Sequence, residues 1–158
     1  METGLLYLHN ILRWIILILL LVSIYKAFIG WKNKKVFSPG DRRAWLFTLI
    51  AAHLTLLIGL YQWLWGEHYG ILRHSLPEGV SIMKNKFYRF FLVEHPVFML
   101  LAIILITLGY RMSKKNVPDE VRYRRALWLF TVALLFILVA IPWPFRHEIG
   151  RPWFPGVK

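Results

Sequence analysis

The chain has 158 residues, 58% of them hydrophobic and 16% aromatic, with a mean hydropathy of +0.50 and a net charge of +12. That is too apolar for a soluble domain of this length, and the cations gather at the ends of apolar runs, so lipid headgroups are the expected partners and no nucleic-acid-binding face is left. Cysteine is absent, which excludes disulfides, thiolate metal sites, iron–sulfur clusters and cysteine-linked haem; any cofactor must be held by His, Met, Tyr or carboxylate.

A hydrocarbon core of about 30 Å takes about 20 mostly apolar residues per helix. The apolar segments Leu5 to Phe28, Ala44 to Trp65, Phe90 to Tyr110 and Ala126 to Phe145 meet that requirement. With their flanks they predict helices over 5–28, 44–65, 88–111 and 122–145, a single all-α domain over 1–158 forming a four-helix transmembrane bundle. The first residues, Met1-Glu2-Thr3-Gly4, lack the basic stretch of a signal peptide and no small-residue cleavage site follows, so the first helix is expected to remain in the mature protein.

Lys26, Lys32, Lys34, Lys35, Arg42 and Arg43 surround the first loop, and Arg111, Lys114, Lys115, Arg122, Arg124 and Arg125 surround the third. Basic short loops stay in the cytoplasm, so the expectation is a bacterial cytoplasmic-membrane protein with both termini outside. The longer second loop has Arg73, Lys84, Lys86 and Arg89. Ser38-Pro39-Gly40-Asp41 and Asn116-Val117-Pro118-Asp119 are turn-and-cap stretches that start helices 2 and 4, and Pro142 and Pro144 end helix 4. Trp31, Trp45, Trp63, Trp65, Trp128 and Trp143 fall near the predicted interfaces, where indole rings sit best.

An internal repeat links the two halves. Helix 2 opens Arg42-Arg43-Ala44-Trp45-Leu46-Phe47-Thr48, and helix 4 opens Arg124-Arg125-Ala126-Leu127-Trp128-Leu129-Phe130-Thr131, the same string with one insertion. Helices 1–2 and 3–4 then form two tandem hairpins related by a pseudo-two-fold axis along the membrane normal.

Span counting puts ionisable groups inside the bilayer. Arg13 and Lys26 bracket too few residues to span, so helix 1 begins near Leu5 and submerges His9 and Arg13; helix 3 likewise submerges Glu94 and His95, and His53 lies near the middle of helix 2. Such groups are costly in lipid and are functional candidates by default. Superposing the repeats on their Trp-Leu-Phe-Thr strings brings His9 opposite His95 in the outer half of the bilayer, where two imidazoles can ligate one haem iron from both faces. The same superposition matches His53 to Phe136, leaving His53 as a distinct site or an alternative ligand. Arg13, one turn from His9, needs an anion, either Glu94 or a haem propionate; Arg89 and Arg73 are further propionate candidates. His68, His74 and His147 are expected on the surface, and Met99 and Met112 are minor ligand candidates.

The sequence resembles small four-span bacterial membrane proteins described as cytochrome b-like. The resemblance runs the length of the chain and rests on Leu8-His9-x-x-Leu12-Arg13-Trp14, Ala52-His53-Leu54, Val93-Glu94-His95-Pro96, the basic stretch after helix 3, and Ile141-Pro142-Trp143. A histidine can stand in that family where this chain has Tyr110, so the resemblance does not carry a second haem near the inner surface to this chain.

The leading expectation is a b-type haem electron carrier, with His9 and His95 as axial ligands, His53 nearby, and a quinone or respiratory complex as exchange partner. Two strong axial ligands leave iron no open position, which suits electron transfer. A non-redox scaffold or assembly subunit, and a zinc or copper site of His9, His53 and His95, are the alternatives. Broad apolar faces would also allow a homodimer.

Overall fold

The computed structural model describes residues 2–67, 70–73 and 75–154; His68 and His74 lie outside the described residues. Four helices carry the fold: α1 (Glu2–Lys32), α2 (Pro39–Trp65), α3 (Lys86–Met112) and α4 (Asp119–Ala140). Each is long and apolar enough to cross a membrane, so the chain is an all-helical, multi-pass membrane bundle.

Local chemistry sets the helix ends. Ser38 accepts a hydrogen bond from the Asp41 amide while the Asp41 carboxylate accepts from the Ser38 amide, a capping box that starts α2 at Pro39 rather than at Ala44. Helix α4 stops at Ala140, short of the expected 145, because Pro142 and Pro144 have no amide proton to continue it. The chain beyond turns back over the bundle, with the Arg151 amide donating to the Pro142 carbonyl and Ile149 fully buried.

In α3, the turn Lys86–Arg89 passes into a π-helical stretch, Phe90–Glu94, before the regular helix His95–Met112. Pro96 explains the irregularity: it cannot donate to the Leu92 carbonyl one turn back, and its ring crowds that carbonyl. The freed Leu92 oxygen accepts instead from Trp63 Nε1 of α2 at 3.2 Å.

Around the bundle, α1 packs against α2 and α4, α2 against α3, and α3 against α4. The buried positions step by threes and fours, Asp41, Trp45, Thr48, Ala52 and Thr55 on α2 and Tyr123, Ala126, Phe130, Ala133, Ile137 and Ala140 on α4. That spacing is the seam of a closely packed bundle. The offset that carries His9 onto His95 also carries Ile16, Leu17, Leu20 and Ser23 onto Ala102, Ile103, Ile106 and Gly109, all of them buried.

The repeated tryptophan strings are not equivalent in register. Trp45 is wholly buried between Phe37, Tyr123 and Phe130, whereas Trp128 is 63% exposed. The inserted residue turns the second string by about 100° around its helix. In the register of the buried faces Asp41 matches Tyr123, Thr48 matches Phe130, and His53 matches the exposed Leu135 rather than Phe136. Trp45 is accordingly a core residue and not an interfacial anchor.

The candidate histidine site

The structure brings His9 of α1 and His95 of α3 together across the bundle, with ring centroids 6.3 Å apart and the rings inclined at 63°. Each ring is held differently. His95 Nδ1 lies 2.7 Å from the Ala140 carbonyl at the end of α4. A carbonyl only accepts, so Nδ1 carries the proton and Nε2 keeps its lone pair. The π-helical stretch immediately before His95 sets the rotation of that ring relative to the start of α3, a common use of such stretches at functional sites. His9 lies against the backbone of α2 at Gly59, where an added Cβ would stand 3.2 Å from its Cε1 atom. Its Nδ1 is buried and has no hydrogen-bond partner among the described residues.

Arg13, buried one turn along α1, is not paired with Glu94. Its guanidinium donates to Asn10 Oδ1 at 2.8 Å and to the Trp153 and Pro152 carbonyls at 2.8 and 3.5 Å. Trp14 reinforces that docking, with Nε1 donating to the Trp153 carbonyl at 3.0 Å and the ring stacking on Trp153 and Phe154. Arg13 Nε remains buried without a partner among the described residues. Glu94 is taken by Arg89, whose Nε lies 2.8 Å from Oε1. The wider π turn brings residues five apart onto one face, so Glu94 meets its own helix rather than α1.

The remaining candidates scatter. His53 is exposed on the outer face of α2, its Nδ1 donating to the Leu49 carbonyl at 2.9 Å, so it does not join the pair. Among the described residues no group of three His, Cys, Asp or Glu side chains gathers to hold a metal ion, and the three-histidine zinc or copper site is not formed. Arg73 is exposed near Glu67. Met99 packs against the core, Met112 is buried at the opposite end of α3, and His147 is exposed.

The tail places two further arginines at this end of the bundle that the sequence did not single out. Arg146 lies over the Phe90 ring, itself 5.9 Å from His95, and donates to the Val139 and Ile141 carbonyls. Arg151 lies over Phe91, where burial draws its guanidinium below the ordinary pKa. Their only signal in the sequence was an aromatic and basic tail. Comparison with protein-family models, with curated proteins and with solved structures finds no match to the chain.

Proposed function

We propose that this chain is a b-type haem protein of the bacterial cytoplasmic membrane that carries electrons to or from a quinone or a respiratory partner. The observation that supports it most is the His9–His95 pair. Two imidazole nitrogens bound to one metal from opposite sides, at about 2 Å each, put the ring centroids roughly 6 Å apart, and the observed separation is 6.3 Å. The donor set also fits: a ligating histidine typically gives its other N–H to a carbonyl, as His95 does to Ala140, and the unmet Nδ1 of His9 is spare bonding capacity.

His9 and His95 would be the axial ligands, and the bound haem would supply one-electron redox chemistry. Arg13, Arg146 and Arg151 supply positive charge at this end of the bundle and would be the residues to pair with haem carboxylates. With the basic loops in the cytoplasm, the pair sits in the outer half of the bilayer. Reporter fusions at Lys35 and Lys115 should therefore read cytoplasmic.

Purification from haem-replete membranes in mild detergent tests the reading. The expected product is a pigment with a Soret band and a sharp low-spin band on reduction. A colourless, folded bundle that takes up no added haemin would favour the scaffold reading, in which the edge-to-face imidazoles only pack α1 against α3.

A further inference from the structure

We propose that His53 is a docking site for a lipid-dissolved dihydroquinone, whose phenolic hydroxyl donates a hydrogen bond to the Nε2 atom of the imidazole. His53 stands near the middle of the 27-residue α2, about 20 Å from either end at about 1.5 Å per residue. It is exposed, and its surroundings on that face, Ile50, Leu54 and Leu57, are exposed and apolar. The ring therefore meets hydrocarbon at the bilayer midplane. With Nδ1 committed to the Leu49 carbonyl, the tautomer is fixed and Nε2 is a hydrogen-bond acceptor with no donor to serve it among the described residues. An unserved acceptor in hydrocarbon is unfavourable, so the occupant must bring an O–H or N–H donor to that depth.

Four sources of a donor are available in a membrane. A second copy of this chain across a two-fold axis would set Nε2 against Nε2, two acceptors with no proton between them. Closely approaching partner helices favour small residues at the contact, but the small residues of this part of α2, Ala51, Ala52 and Thr55, are turned into the bundle and bulky side chains rim His53. A hydroxyl of an ordinary amphiphile stays at headgroup level. A dihydroquinone on an isoprenoid tail dissolves in the hydrocarbon core, carries phenolic donors, and offers a flat ring to an apolar rim. The matching position in the other hairpin is Leu135, so each chain has one such site. Gly59, which backs the His9 ring, lies on the same helix about 9 Å further along the axis. The binding at His53 stands without haem; only its use in electron transfer rests on the function proposed above.

The test uses the full chain, labelled with ¹⁵N-histidine, in lipid nanodiscs. Tetramethylhydroquinone is the probe, and its dimethyl ether, which lacks the O–H, is the control. The Nε2 resonance that disappears in His53→Phe should shift saturably with the hydroquinone and stay fixed with the ether. Binding should fall about tenfold in His53→Phe, the worth of one hydrogen bond, and survive in His53→Gln, whose amide oxygen accepts. Unchanged His9 and His95 resonances show that the variants are folded. A resonance that never moves, or that moves equally with the ether, overturns the proposal. So does an Nε2 already hydrogen-bonded before addition that becomes free when the chain is diluted in lipid, which would mean a second copy. The readout needs no haem, so a colourless protein that binds hydroquinone at His53 would fail only the haem reading.

Discussion

At the basic end of the bundle Asp41 accepts from Tyr123 at 2.6 Å and from Ser38 at 2.7 Å, and lies 2.8 Å from Lys26. There Ser23 and Thr48 bond each other between α1 and α2, Asp119 holds both Arg122 and the Phe37 amide, and Trp45, Tyr123, Phe130 and Phe37 interlock. At the histidine end a half-buried imidazole and a buried guanidinium each keep an unpartnered nitrogen, and a tail with no regular structure covers the helices. The basic end has two such atoms of its own, Trp45 Nε1 and Ser113 Oγ, but neither is on a group that carries charge. Closed networks of charged groups at one end and unpartnered nitrogens on a histidine and an arginine at the other are the pattern of a scaffold holding a site, because real proteins concentrate such local conflicts at functional sites.

The sharpest break in that comparison should come from the basic end. Phe130→Ala empties a fully buried position packed on Trp45 and Gly109, and should cost about 3–5 kcal/mol in detergent unfolding. A loss below about 1 kcal/mol would mean that this end is not the stabilising half. Next, Arg13→Leu removes charged hydrogen bonds to the tail and should cost about 1.5–3 kcal/mol, with protease cleavage after Arg146 or Arg151 accelerating as the tail lifts. Combined with Glu94→Gln the effects should simply add, since the two side chains share no contact; strong coupling in the double-mutant cycle would restore the Arg13–Glu94 pair.

His9→Leu should leave the apoprotein as stable as the parent, or more so, because it removes an unpartnered buried nitrogen. The same variant should lose all low-spin pigment. Destabilisation of the apoprotein comparable to Phe130→Ala would make His9 structural and dissolve the contrast between the ends. The smallest effect belongs to Arg89→Gln or Glu94→Gln, whose ion pair is about two-fifths exposed and should be worth about 0–1 kcal/mol.

The four spans were legible because about 20 apolar residues in a row have few alternatives in a chain this long. The approach of His9 to His95 was legible through the repeat, although the Trp-Leu-Phe-Thr strings that suggested it differ in register by the one inserted residue. Helix phase was the weak point: with apolar residues on every side, nothing in the sequence said that His53 and Trp128 face outward while Trp45 faces in. Pro96 marked an irregular helix, but not that the π turn would hand Glu94 to Arg89. The capture of Arg13 by backbone carbonyls of Pro152 and Trp153 had no signal at all, since a carbonyl is present in every residue.

Pulsed electron paramagnetic resonance of the oxidised, haem-loaded protein, with and without ¹⁵N-histidine, reads the axial ligands directly. Couplings from two imidazole nitrogens are expected, both changing with the label, one lost in His9→Ala and the other in His95→Ala. A single imidazole, or two that survive either substitution, would contradict ligation by the His9–His95 pair.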